Sequence, residues 1–146
     1  MKTYMDVNAL NTKFWATDLT YTDYQDNELS VPSSQIVTEN GPPRDVDESK
    51  PWVRWIVSPG GSKRTTSGNV TLYKNLGTAF LEVHLPIGYG TGQAEEIRDA
   101  FIHAFADWQD PAKKLRVYKH DSTKGAGTES SYQLDAIIYY QSYREQ

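Results

Sequence analysis

The sequence predicts an α+β fold: a single domain in which a mainly antiparallel twisted sheet is packed by one long amphipathic helix and a short N-terminal helix. Three observations predict it. Between Thr78 and Leu85 the side chains alternate, Leu81, Val83 and Leu85 on one face and Phe80, Glu82 and His84 on the other, as in a strand with one buried side. Between Gln93 and Trp108, the residues Ala94, Ile97, Phe101, Ala104, Phe105 and Trp108 recur at helical spacing, while Glu95, Glu96, Arg98, Asp99, His103 and Asp107 take the opposite side. From Tyr132 to Ser142 the alternation returns, with Leu134, Ala136, Ile138 and Tyr140 on one face. A chain of 146 residues is the size of one domain, able to remove roughly 68–70% of its unfolded surface from water.

The elements follow in order. Val7, Leu10, Phe14 and Trp15 form an apolar stripe between Asp6 and Leu19, which predicts the short helix with Asp6 as its cap. Residues 20–50 are polar and turn-rich, ending in Asn40-Gly41-Pro42-Pro43 and the acidic run Asp45, Asp47 and Glu48. They predict an irregular arm or loop with one extended piece around Gln35 to Thr38. Trp52 to Val57 is aromatic and β-branched between Pro51 and Pro59, a strand. Ser58 to Gly68 lacks core residues and carries Pro59, Gly60, Gly61 and Gly68, so it predicts a long mobile hairpin loop presenting Lys63 and Arg64. Val70, Leu72 and Tyr73 begin an extended piece, with a pause near Asn75 and Gly77 before the strand that Pro86 ends. Glu95 and Glu96 lie in the first turn of the main helix, where negative charge is favoured, and Asp110-Pro111 stops it. Leu115 to His120 and Tyr132 to Ser142 are the last two strands, joined by a glycine-bearing loop from Asp121 to Ser131.

Composition narrows the function classes. The net charge of −4 argues against a protein that grips phosphate backbones. Without cysteine, disulfides and thiolate sites are excluded, which fits a reducing cytoplasm. No apolar run approaches the ~20 residues that span a bilayer, and the start MKTYMDVNAL lacks the apolar core of a signal peptide, so no membrane partner is expected. Ten Tyr and four Trp are many for a chain of this size and favour strands and contact surfaces.

The chemistry-bearing patterns are weak. Gly88-Tyr89-Gly90-Thr91-Gly92 lies between strand and helix, where phosphates bind, but position 93 is Gln rather than the third glycine of a dinucleotide fingerprint. No Lys-Ser or Lys-Thr pair follows, and Glu95 and Glu96 place negative charge where a phosphate would sit. His84, His103 and His120 fall on three different elements without metal-ligand spacing. No G-x-S-x-G positions a nucleophile, and the acids at 45–48 lack EF-hand spacing. The expectation is no catalytic residue, cofactor or metal. Most of Phe80, Phe101, Phe105, Trp108 and Trp52 or Trp55 belong in a core, whereas Tyr21 and Tyr24, set among acids, are candidates for a subunit contact.

The succession Gly68-Asn69-Val70-Thr71-Leu72-Tyr73-Lys74-Asn75-Leu76-Gly77, then FLEVHLPIGYGTGQAEEIRDAF, then a strand and a final YQLDAIIYYQS, resembles the tail terminator-like proteins of long, non-contractile tailed phages. Upstream Glu39-Asn40-Gly41-Pro42-Pro43 before an apolar strand fits the same pattern. The resemblance spans roughly residues 36 to 142 and rests on structural glycines, prolines and apolar positions; Thr20 to Ser34 has no counterpart in it. It implies a small α+β virion subunit, made in the bacterial host cytoplasm. Six copies form a ring on the head-proximal end of the tail tube, end tube polymerisation and offer the surface that joins the head-side connector or head-closure protein.

Its expected partners are therefore further copies of the chain, the major tail tube protein and the connector, with DNA passing through the lumen without specific binding. Lys63, Arg64, Tyr21 and Tyr24 are its candidate interface residues. Six copies at −4 each carry −24, an acidic lumen that DNA would pass without sticking. The alternatives are another neck component, a small ligand- or nucleotide-binding domain using Gly88 to Gly92, and a host-surface module with exposed aromatics as glycan platforms.

Overall fold

In a computed structural model the structure describes residues 3–39, 41, 45–68, 70–88, 92–125, 127 and 131–145. Among these residues two helices, α1 (Thr3–Trp15) and α2 (Gly92–Phe105), accompany seven strands: β1 (Thr20–Thr22), β2 (Glu28–Ser30), β3 (Ile36–Thr38), β4 (Trp52–Ser67), β5 (Val70–Pro86), β6 (Leu115–Lys124) and β7 (Ser131–Glu145). β1 and β2 form a small antiparallel hairpin, and the rest make one sheet in the order β3-β4-β5-β7-β6. Only β3 runs parallel to its neighbour, β4; the other pairings are antiparallel. The α+β class expected from the alternations is the one observed.

The core is one-sided. Val53 and Trp55 of β4 lie opposite Val83 and Leu81 of β5, which lie opposite Leu134 and Ala136 of β7, and all six are buried. Against this face α1 places Leu10 and Phe14, and α2 places Ala94, Ile97, Phe101 and Phe105. Trp55 is the meeting point: Phe14 stacks on it at 4.5 Å, Phe101 and Phe105 approach at 5.7 Å, and its indole N–H donates to Asn11 Oδ1 at 2.8 Å. Both helices thus cover the same side. The opposite side carries Ile56, Phe80 and Ile137 in one row across three strands, all half-buried, and no described helix lies over them.

Several expectations give way. The helices are nearly equal, 13 and 14 residues, rather than one long and one short. α2 ends at Phe105, before Asp110-Pro111, because Asp107 takes a left-handed φ of 56° that a helix cannot continue. Asp6 is not a cap but a buried residue within α1, and Trp15, expected on the apolar stripe, is 48% exposed. The described residues of 20–50 hold three short strands and a 3-10 turn at Ser33–Gln35. The buried amide of Gln35 donates to the Asp47 and Pro51 carbonyls and accepts from Asp47 N–H at 2.8 Å, pinning the segment that leads into β4.

The largest correction concerns Ser58 to Gly68, expected as a long loop. β4 runs through it to Ser67, paired with β5 along its length. Pro59 pairs with Gly77 and Ser62 with Asn75, so Gly60 and Gly61 together oppose Leu76, a bulge of two residues against one. Proline is tolerated because β3 pairs only with Val53 to Trp55, leaving this half of β4 an edge. The expected pause at Asn75 and Gly77 is likewise continuous strand.

Candidate interaction surfaces

The four residues singled out in the sequence fall at two separate places. Lys63 and Arg64 are exposed on the far half of β4, where Lys63 is directly opposite Lys74 and Arg64 opposite Tyr73. The reading of this segment as a loop hid Lys74; a continuous β4–β5 pairing would have revealed it. The Lys74 ammonium stands 5.9 Å over the Tyr143 ring. Like charges directly across an antiparallel pair repel, so this end of the hairpin concentrates positive charge.

Tyr21 and Tyr24 belong to the β1–β2 hairpin, which lies on the N-terminal half of α2. Tyr21 packs partly into the core, whereas Tyr24 is 70% exposed. The anchor is the Thr22 N–H, which donates to Glu96 Oε2 at 2.7 Å. Asp23 accepts the Gln25 and Asn27 N–H groups at 2.9 Å, closing the turn. Those bonds, that from Asn27 foremost, hold its carboxyl below the usual carboxylate range and keep it ionised. Thr22, Asp23 and Tyr24 face Gly92, Gln93, Glu95, Glu96 and Asp99 across an open groove of about 440 Å³. From Lys74 to Pro86, the end of β5 that leads into α2, an extended strand covers roughly 40 Å at ~3.3 Å per residue. The basic and acidic places therefore sit towards opposite ends of the molecule.

A buried polar network went unseen in the sequence. Asp6 Oδ1 accepts from Arg144 Nε at 2.8 Å and its Oδ2 from Ser142 Oγ at 2.6 Å, all three side chains being buried. Asn75 Nδ2 donates to Ser142 Oγ at 3.3 Å, and Ser62 Oγ bonds Asn75 Oδ1, tying the bulge to the network. On the other side Arg144 Nη2 lies 3.9 Å from Asp110 Oδ2, while Asp110 Oδ1 accepts the Lys114 and Leu115 N–H groups. Beside Asp6, burial first and its negative charge second push the Tyr140 phenol up to about 12. Each carboxylate is already committed to structural partners.

On the helix-free face, Trp52 stacks on His84 at 4.0 Å, and His84 lies 3.3 Å from Glu82. Burial lowers the His84 pKa, outweighing the opposing pull of Glu82. His103 is on α2 and His120 on β6, so the three histidines do not converge. Among the described residues no group of three or more His, Asp or Glu side chains is placed to hold a metal ion. Of the glycine loop, residues 89–91 lie outside the described residues. No helix among the described residues is long and apolar enough to cross a membrane.

The class that these observations define is a single-domain α+β protein, with two helices on one face of a mixed five-stranded sheet. No family model and no curated protein matches the chain. A solved structure with 17% sequence identity, covering 79% of this chain and 82% of its own, superposes with a TM-score of 0.55. At that identity the likeness shows the fold alone.

Proposed function

We propose that the chain is a structural virion protein, a tail terminator whose six copies form a ring on the head-proximal end of a phage tail tube. The ring ends tube growth, presents the surface to which the head-side connector binds, and performs no catalysis. The observation that carries this reading is the one-sided sheet. Ile56, Phe80 and Ile137 stay half-buried on a face that neither helix covers, as suits a subunit whose remaining apolar surface is closed by assembly. The resemblance of residues 36 to 142 supplies the kind of assembly. Its FLEVHLP segment lies on β5, its IRDAF segment on α2 and its closing YQLDAIIYYQS on β7.

The test is to add purified protein to polymerising tail tubes. Electron microscopy should show tubes of arrested length with a six-fold ring at one end. Tubes that grow unchecked, with no protein at either end, would defeat the reading.

A further inference from the structure

Among the described residues, positive charge without an ion partner and an acceptor without a donor occupy separate ends of the molecule. At the hairpin end, Lys63 and Lys74 are directly opposed with Arg64 beside them, and none of the three enters the ion pairs of the described residues. In the groove beside α2, Gln93 is only 8% exposed, yet its Oε1 finds no hydrogen-bond partner among the described residues. A buried carbonyl oxygen left so is costly, and it calls for a donor. Around it stand Asp23, Glu95, Glu96 and Asp99, of which Asp99 alone has a cation among the described residues, Arg98 at 3.0 Å. No three of these acids converge as metal ligands. A side chain carrying several N–H donors and a positive charge satisfies both requirements, since a guanidinium fork reaches carboxylate and amide oxygens together.

We propose that the basic end of the β4–β5 hairpin of one subunit docks in the Gln93 groove of the next, Lys63, Arg64 and Lys74 meeting Asp23, Glu95, Glu96 and Asp99. The proposal rests on the ring reading and names the contact that closes the ring. The occupant is a second copy because the chain itself supplies both halves of a complementary pair, separated too far to meet within one subunit. Unlike patches joined in this way make a head-to-tail contact, which gives a ring where the rotation between neighbours closes. Docking would relieve the Lys63–Lys74 repulsion and give the buried amide oxygen its donor.

The absence of native cysteine makes the test direct. In a Lys63→Cys/Glu95→Cys variant assembled on tail tubes and mildly oxidised, disulfides should link neighbouring subunits in a ladder extending to the full ring. Either single variant should give no more than pairs. In parallel, Lys63→Glu/Arg64→Glu should weaken assembly about tenfold or more, the scale of a lost interfacial charge pair. Adding Glu95→Lys/Asp99→Lys should recover it. Rings that form without the cross-link and tolerate the charge reversal would overturn the docking while leaving the ring reading intact. A ladder that stops at the dimer would place the contact in a reciprocal pair and overturn it as well. A protein that stays monomeric even beside tubes would defeat the ring reading itself.

Discussion

Asp6 shows what a single residue can do that its neighbours in sequence do not announce. Its place ahead of an apolar stripe reads as a helix cap, but the structure buries it fully and gives it two partners on β7, Ser142 and Arg144, the latter 138 residues away. An ion pair out of water costs desolvation on both sides, and removing one partner leaves the other charged and buried. Asp6→Ala should therefore lower stability by about 3–5 kcal/mol in urea denaturation. Asp6→Leu combined with Arg144→Met should cost less than Asp6→Ala alone, because no charge is stranded. A single substitution as mild as a surface change would show that Arg144 is satisfied elsewhere, by Asp110. Nothing local in the sequence marks Asp6 as the partner of Arg144; only the packing of α1 across the sheet brings them together.

The β4–β5 hairpin is the element on which reading and structure part most. A Pro-Gly-Gly run with polar neighbours has the composition of a loop, and composition was the only guide there. The structure spends the same residues on a bulge in an edge stretch, where a missing N–H and missing side chains do little harm. Its two kinds of glycine separate by test. A Cβ at Gly77 would come within 2.6 Å of Tyr140 Cζ, and Tyr140 is buried and cannot yield. Gly77→Ala should cost about 1–3 kcal/mol as overpacking and lower the melting temperature accordingly. At Gly61 nothing lies within 4 Å and φ is not positive, so Gly61→Ala should change stability by no more than about 0.5 kcal/mol. Equal losses at the two positions would contradict the register. By contrast, α2 and the β5 and β7 faces were legible, because each has several apolar residues in phase.

For the whole molecule, stability should form a plateau bounded by two groups, half-buried His84 and buried Tyr140. Burial holds the folded His84 pKa below the ordinary histidine value of 6.5, so its contribution is complete above that pH and is lost as pH falls through the folded value. Tyr140 is raised from 10.0 to about 12, so its contribution is complete below pH 10 and is lost as pH rises through 12. Urea denaturation across this range should show both edges. His84→Gln should flatten the slope just below the acid edge, and Tyr140→Phe should soften the alkaline one. Unchanged slopes in both variants would mean that neither group titrates differently on folding.

From the sequence alone came the α+β class, the inward faces of β5 and β7, and the helical stripe that buries Ile97, Phe101 and Phe105. These rest on periodicity, which needs only near neighbours to be visible. Tertiary structure decided that both helices lie on one side, that Pro59 to Gly61 sits in an edge strand, that Lys74 faces Lys63, and that Gln93 is buried beside four acids. Each of those depends on which strand ends first and which element crosses it. Such facts belong to contacts between residues distant in the chain, and no pattern along the chain records them.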